Sequence, residues 1–423
     1  MTTIDIATEV EEMGKRAREA ALQLALLSTQ EKVNILQSMA DEIRSHADLI
    51  IQENQKDLEA AQLNNLSSAM QDRLKLDQQR IENIASGIEK VASLPDPCGE
   101  VISETTRPNG MHLQQIRVPI GTIGIIYESR PNVTSDAAVL CLKSGNATIL
   151  RGGKEAIHSN KILAKILLEA GEKAGMPAHS IQLIPFTDRA SVAAMATMDQ
   201  YLDLIIPRGG KGLIEKVVSL ARMPVIKHYD GICHMFIDKE YDLDMAIKLA
   251  IDAKTQKPSV CNALETLLIH EEVAADLLPK LYQAFDAKQT ELICCPQAQA
   301  ILSDVSTTAA SEEDWSTEYL DYKLSVKVVS NLDDAINHIN HYGSKHSDAI
   351  VTTNNETAEL FLRSIDSACV YHNVSTRFSD GEEFGFGAEI GVSTDKLHAR
   401  GPMGLKELTS YQYRIRGNGQ TKA

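Results

Sequence analysis

At Gly121 the hydrophobic pattern of this chain changes period, and that change constrains the fold more than any other feature. The segment Gly121–Tyr127, GTIGIIY, is apolar at nearly every position, as a strand buried on both faces requires. Helical and strand-like runs then alternate: helix at about 134–143, strand at about 146–150, helix at about 156–174, strand at about 181–184. Helix follows at about 189–197, strand at about 202–206, helix at about 211–221 and a short strand near 224–226. Strands separated by helices of this length form right-handed βαβ units and a parallel sheet. A second alternating block runs from about Cys233 to His372, with LSVKVV and SDAIVT as strands. The pattern predicts an α/β protein with two parallel-sheet domains.

The remainder of the chain differs. Residues 1 to about 95 read as helix: STQE at Ser28–Glu31 has the capping-box pattern, and Leu36, Met39, Ala40, Ile43, Ala47 and Ile50 fall on one face behind it. Ile81, Ile84, Ile88 and Val91 repeat the pattern until PDP at Pro95–Pro97 stops it. RPNGM at Arg107–Met111 lies between two polar–apolar alternations, a hairpin signal, and LKELTSYQYRIRGNG at the C-terminus reads as a terminal strand. At 423 residues the chain exceeds one compact core. Its net charge of -16 argues against a nucleic-acid or acidic-membrane surface. No stretch has the length of a membrane span, and the N-terminus lacks the features of a signal peptide. The seven scattered cysteines contain no C-x-x-C, so neither a disulfide framework nor a zinc site is expected, and a reducing cytoplasm fits.

Two sequence features point to chemistry. The first is Cys261 in KTQKPSVCNALETLLIH, where Lys257, Pro258 and Ser259 read as loop and Leu264–Ile269 as strand. A thiol at that junction is rigidly held yet exposed, as a nucleophile must be; the competing reading is a small packing residue. The second is the tetrapeptide RGGK, present at Arg151, Gly152, Gly153 and Lys154 and again at Arg208, Gly209, Gly210 and Lys211. Each copy follows a strand and opens a helix, where glycines, free helix N–H groups and cations suit a nucleotide phosphate. G-x-G-x-x-G is absent, which disfavours a standard Rossmann dehydrogenase. Arg151 and Lys154 suit a ribose 2′-phosphate, so NADPH fits better than NADH.

Longer segments carry a resemblance. VPIGTIGIIYESRPNVTSDAA, LKSGNATILRGGKEA, KTQKPSVCNALETLLIH, HINHYGSKHSDAI, VSTRFSDGEEFGFGAEIGVST and KLHARGPMGLKEL span nearly the whole chain. In these segments the chain resembles the aldehyde dehydrogenase superfamily, and within it the branch that reduces L-glutamate 5-phosphate (γ-glutamyl phosphate). The resemblance implies an NADPH-binding domain at 1–105 and 119–230, a catalytic domain at 231–400, and an oligomerisation flap at 106–118 and 401–423 made of the hairpin and the terminal strand. It implies the second step of proline biosynthesis, in which γ-glutamyl phosphate and NADPH give glutamate 5-semialdehyde, NADP⁺ and phosphate. It implies a homo-oligomer, and leaves open association with glutamate 5-kinase, which makes so unstable a substrate.

Site roles follow from the same resemblance. Cys261 matches the nucleophile that forms a thioester, and Asn132 in RPN matches the oxyanion asparagine, with the Cys261 N–H as second donor; as a bare residue Asn132 also reads as a turn position after Pro131. Glu318 in WSTEYL aligns with the glutamate that holds the nicotinamide ribose, and an exposed helix-face glutamate is the competing reading. His228 in IKHYDGI stands where hydrolytic relatives place a glutamate base, a loss that would preserve the thioester for hydride. Arg130 and Arg377, and more weakly Lys257, are candidates for the substrate's anionic groups; a surface salt bridge competes for each. His338, His341 and His346 lack a carboxylate or cysteine to complete a metal site, so no metal is expected, and they read as helix-capping and turn residues near Tyr342-Gly343. Two other functions compete: an acylating or phosphorylating aldehyde dehydrogenase with a different acyl group, and an inactive homologue serving as a binding subunit.

Overall fold

The computed structural model describes residues 3–422; Met1, Thr2 and Ala423, the extreme ends of the predicted domains, lie outside the described residues. The chain divides into two compact units. One holds the chain up to Lys227 with Gly385–Gly391 and the segment from Met403 onward; the other holds His228–Phe384 and Val392–Pro402.

In the first unit, helices α1 (Thr3–Leu24), α2 (Thr29–Ser45), α3 (Ala47–Leu63), α4 (Ser68–Leu74) and α5 (Gln78–Ser93) precede any strand. Ser28 caps α2 as the sequence predicts: its hydroxyl accepts from the Glu31 N–H, and the Glu31 carboxylate accepts from the Ser28 N–H at 2.7 Å. The expected continuous face from Leu36 to Ile50 is shared by two helices. His46 takes φ -105°, ψ 18°, ending α2 and starting α3, while Ala47 and Ile50 stay buried. The hairpin strands are β1 (Val101–Thr106) and β2 (His112–Pro119), joined by a turn in which the Arg107 N–H donates to the Met111 carbonyl at 2.8 Å.

The chain then alternates: β3 (Thr122–Tyr127), α6 (Asn132–Lys143), β4 (Ala147–Arg151), α7 (Ile157–Lys173), β5 (Ile181–Leu183), α8 (Ala190–Ala196), β6 (Leu204–Arg208) and α9 (Lys211–Leu220). The strands form one parallel sheet in the order β5-β4-β3-β6. Because β6 lies on the opposite side of β3 from β4, the order reverses at β3, and loops beyond the C-terminal ends meet at that switch point. The short strand expected near 224–226 is only a bridge between Ile205 and Val225, since Pro224 has no N–H to extend the ladder.

The second unit contains β7 (Cys233–Ile237), α10 (Leu243–Thr255), β8 (Leu264–His270), α11 (Glu271–Asp286), β9 (Glu291–Cys294), α12 (Pro296–Ile301) and β10 (Thr308–Ala309). It continues with β11 (Lys323–Val329), α13 (Leu332–Tyr342), β12 (Ser347–Val351), α14 (Asn355–Ser364) and β13 (Cys369–His372). Its seven strands are parallel in the order β10-β9-β11-β8-β7-β12-β13. Both faces are covered. Met235, Ile237, Leu267 and Ile269 pack with α10 and α11 residues, while Phe236, Leu268 and Ile350 pack with Ile339 and Phe361 of α13 and α14. That two-sided burial explains why β8 is buried at all seven positions.

β14 (Gly391–Ser393) and β15 (Gly401–Met403) form a short two-stranded sheet. The terminal strand β16 (Thr409–Arg416) pairs antiparallel with β2 over its whole length, giving a three-stranded sheet in the order β1-β2-β16. Among the described residues no helix is long and apolar enough to cross a membrane.

Candidate active site

Three loops meet at the switch point of the first unit: the one after β3, and the two RGGK loops after β4 and β6. In each RGGK copy the arginine is the last residue of its strand, so the ladder, rather than the loop, sets its direction. Arg151 is 8% exposed and donates to the Thr187 carbonyl at 3.0 Å. Burial pulls its pKa down. Lys154, three residues on, is exposed. Carboxylates tie the loops together. Glu155 accepts from the Ser129 N–H at 2.6 Å and its hydroxyl at 2.8 Å, and Glu128 accepts from the Gly210 N–H at 3.0 Å. Ser129 sits at φ 48°, a conformation that serine rarely adopts, and the two bonds from Glu155 hold it there. Helix α9 starts at Lys211 with Gly210 at its N-cap and no side-chain cap, so its first-turn N–H groups suit an anion.

The same loop delivers Arg130, which is exposed, and Asn132, the first residue of α6. The Asn132 amide donates from Nδ2 to Oδ2 of Asp136, one turn along, at 2.8 Å. This bond turns the amide to one side and leaves its second N–H for another acceptor. Burial pushes the Asp136 carboxyl up to about 6, against the Asn132 hydrogen bond and the Arg208 charge, which both pull it down. Asp136 was not singled out from sequence, although its i, i+4 spacing from Asn132 was a signal for it.

In the second unit Cys261 is half-buried in the turn that enters β8, the junction the sequence predicts; the turn is closed by the Ala263 N–H donating to the Val260 carbonyl at 3.0 Å. Its surroundings come from three distant segments. The buried Cys233 thiol donates to the Cys261 carbonyl at 3.2 Å. Gly231 lies so close that a Cβ there would overlap the Cys261 backbone, and its N–H donates to Glu318 Oε1 at 2.9 Å. Asn262 is clamped: its carbonyl accepts from Thr376 Oγ1 at 2.8 Å, its Nδ2 donates to the Ser379 carbonyl at 3.0 Å, and its Oδ1 accepts from Arg377 Nη1. The structure therefore brings together Cys261, Glu318 and Arg377, as well as Gly231, Cys233 and Asn262, which the sequence reading missed.

Glu318 lies outside any helix or strand, not on a helix face, and is half-buried. Burial raises its pKa, opposed by the Gly231 N–H. Behind it, Glu265 Oε2 and Lys254 Nζ form a fully buried ion pair at 2.6 Å, and Glu265 Oε1 accepts from the Leu320 N–H at 3.2 Å. Burial pushes Glu265 up to about 7 and lowers Lys254, while their contact opposes both. His228 is half-buried; its Nδ1 contacts the Val392 carbonyl at 3.0 Å and its ring meets that of His346 edge-on. Lys257 is exposed.

Helix α13 ends at Tyr342 with Gly343 as its C-cap, and of the three histidines only His341 lies exposed in its last turn. His338 is buried between Trp315 and Tyr342 and accepts at Nδ1 from Lys327 at 3.1 Å; His346 is buried beside Ser347. Tertiary burial overrides the turn role for His338 and His346, whereas His341 stays exposed in the last turn of α13. Among the described residues no group of three or more His, Cys, Asp and Glu residues could hold a metal.

The parallel-sheet unit with its strand-end loops defines a class, the oxidoreductases with a pyridine-nucleotide-binding fold. The aldehyde dehydrogenase family model matches residues 4–292. The chain belongs to the aldehyde dehydrogenase family, in its γ-glutamyl phosphate reductase branch. It is similar to the γ-glutamyl phosphate reductase of Moorella thermoacetica, with 52% identity over 99% of this chain and 100% of the relative. It is also similar to the crystal structure of γ-glutamyl phosphate reductase from Thermotoga maritima, with a TM-score of 0.96, 43% identity, and coverage of 98% of this chain and 100% of that one. An acetylating aldehyde dehydrogenase from Geobacillus thermoglucosidasius shares the fold alone, with a TM-score of 0.69 at 17% identity over 100% of this chain and 99% of that chain.

Proposed function

We propose that this enzyme reduces γ-glutamyl phosphate to glutamate 5-semialdehyde with NADPH and releases phosphate. The observation that carries this reading is the end-to-end similarity, 52% over 99% of the chain, to a relative named for that substrate. The Cys261 thiolate attacks the acyl carbon, the bond to the phosphate oxygen breaks, and a thioester remains on sulfur. Bound NADPH supplies the hydride that reduces this acyl group. Collapse then breaks the carbon–sulfur bond, freeing the aldehyde and restoring the thiolate. Asn132 stabilises the oxyanion through the N–H that Asp136 leaves available.

The exposed Lys154, the α9 N-terminus and the glycines of both RGGK loops fit a dinucleotide phosphate group. Arg151, already bonded within the fold, positions its loop, and Lys154 faces the 2′-phosphate. Glu318 commits Oε1 to Gly231 and keeps Oε2 for the nicotinamide ribose. Arg130 and Arg377 are the anion ligands for the substrate. His228 replaces the hydrolytic base, so the acyl group meets phosphate rather than activated water. None of the seven cysteines is in a disulfide, which fits a reducing, cytoplasmic setting. The β1-β2-β16 sheet serves as the oligomerisation flap.

The test is oxidation of glutamate 5-semialdehyde with NADP⁺ in phosphate buffer, against phosphate-free and NAD⁺ controls. Phosphate-dependent NADPH formation is expected. Fast phosphate-independent oxidation would overturn the acyl-phosphate assignment in favour of a hydrolytic dehydrogenase.

A further inference from the structure

The ion pair of Lys254 and Glu265, at 2.6 Å, is fully buried, and no step of the proposed reaction uses it. Taking two charges out of water costs about as much as their attraction returns, and apolar residues of similar size are often as stable in such a place. The pair therefore has a reason other than stability, and its connections supply one. Lys254 stands in the last turn of α10, and Glu265 is the second residue of β8. Between them runs the turn that carries Cys261, so the pair closes both ends of that turn across 11 residues.

The second oxygen of Glu265 is also engaged. Its Oε1 accepts from the Leu320 N–H at 3.2 Å. Leu320 takes φ 54°, in the left-handed region that leucine rarely adopts. Its side chain is 40% exposed, so core packing does not hold it there. The two residues before it are fixed as well. The Tyr319 hydroxyl donates to Asp314 Oδ1 at 2.8 Å, and Glu318 Oε1 accepts from the Gly231 N–H at 2.9 Å. Gly231 in turn lies against the backbone of Cys261. The contacts close a ring: from Cys261 along β8 to Glu265, across to Leu320, back through Glu318 to Gly231, and onto Cys261 again.

We propose that Glu265 and Lys254 are positioning residues that hold Glu318 in register with Cys261, Glu265 through the Leu320 N–H and Lys254 by fixing the Glu265 carboxylate. The proposal rests on the role of Glu318 at the nicotinamide ribose given above and adds the device that places it. Without an acceptor at position 265, Leu320 relaxes towards an ordinary negative φ, and the turn of its backbone carries the Glu318 carboxylate away from Gly231. The loss falls on the cofactor, because the strained segment bears Glu318 and not the thiol.

Two double variants separate positioning from bulk stability: Lys254→Met with Glu265→Gln, and Lys254→Met with Glu265→Leu. Neither leaves a buried charge unpaired, and only the glutamine keeps an oxygen for the Leu320 N–H. KM for NADP⁺ and for glutamate 5-semialdehyde is measured in phosphate buffer. The glutamine variant should keep KM for NADP⁺ within about threefold of wild type, whereas the leucine variant should raise it about tenfold. KM for the aldehyde should stay within about threefold in both. Adding Glu318→Ala to the leucine variant should cost little more than the leucine variant alone, since the two changes remove one interaction. Equal KM for NADP⁺ in the two double variants overturns the proposal, as does a leucine variant that loses cofactor and aldehyde in equal measure. Should the leucine variant fail to fold, Leu320→Pro removes the N–H at an exposed residue and leaves the pair intact; it should also raise KM for NADP⁺ about tenfold, and a wild-type value overturns the proposal. Glu318→Ala by itself tests the underlying reading. If that single variant keeps the wild-type KM for NADP⁺, the ribose role falls; if it raises KM while the two double variants match, only the positioning falls.

Discussion

At the residue scale, the environment of Cys261 is built from backbone as much as from side chains. Gly231 is the sharpest case, because the backbone of Cys261 occupies the place where any Cβ would lie. Gly231→Ala must push the Cys261 turn outwards or rotate it, and for a catalytic group displacements of about 1 Å cost about a hundredfold in rate. We expect kcat to fall by at least that factor while NADPH binding, followed by fluorescence, is retained; a Gly231→Ala enzyme with wild-type kcat would show that the contact does not locate the thiol. Asn132 makes a separate demand. On the proposed role of Asn132 as an oxyanion donor, Asn132→Ala should lower kcat by roughly 100- to 1,000-fold. Its KM should change far less, and a variant that loses only KM would recast Asn132 as a binding residue.

The element scale separates side chains that look equivalent in sequence. Arg151 closes β4 and turns into the unit, whereas Lys154 lies beyond the strand and stays exposed. Arg151→Met strands the Thr187 carbonyl and should cost about 1–3 kcal/mol of stability, read by thermal unfolding. Lys154→Ala should leave the melting temperature unchanged and weaken NADPH about tenfold more than NADH; equal weakening would remove Lys154 from the 2′-phosphate. Helix α13 carries a pH dependence. Burial pushes His338 down to about 2, helped by the neighbouring His234 and by the Lys327 ammonium bonded to its Nδ1. An unfolded imidazole takes up a proton below about pH 6.5, which folded His338 refuses, so its contribution is full above that pH and is lost as pH falls towards 2. Thermal unfolding measured from pH 7.5 to 5 should therefore show a declining melting temperature, and His338→Phe should flatten the decline. An identical slope in the variant would assign the acid limb to other groups.

At the scale of the whole molecule, β1, β2 and β16 form a sheet with two open edges and exposed apolar side chains. Val101, Ile102, Tyr411, Tyr413 and Ile415 are between 42% and 61% exposed. An antiparallel ribbon with open edges is a liability for a lone chain and a template for pairing with a copy. Tyr413→Glu with Ile415→Lys should shift the protein to smaller species in light scattering without changing its circular dichroism. A wild-type protein that is monomeric at all concentrations would overturn the assembly role proposed for this sheet.

What the sequence determined by itself is carried by near neighbours. The capping box at Ser28, the seven-residue run of β8, the change of period at Gly121 and the Cys261 junction each follow from residues a few positions apart. The same holds for the hairpin at RPNGM, whose turn closes over five residues. Sequence also exposed the two RGGK loops but not the opposite fates of Arg151 and Lys154. That outcome turns on β4 ending at Arg151 rather than one residue earlier, and a one-residue change of register reverses a side chain's direction. The remaining site contacts were decided by strand order. Glu128 reaches Gly210 across 82 residues, Glu318 reaches Gly231 across 87, and Asn262 meets Arg377 across 115. Local hydrophobic period specifies that a strand exists and which of its faces are buried, but it does not specify which strand lies beside it. Only the closed sheets bring the carboxylates, the glycine and the thiol within hydrogen-bonding and van der Waals reach.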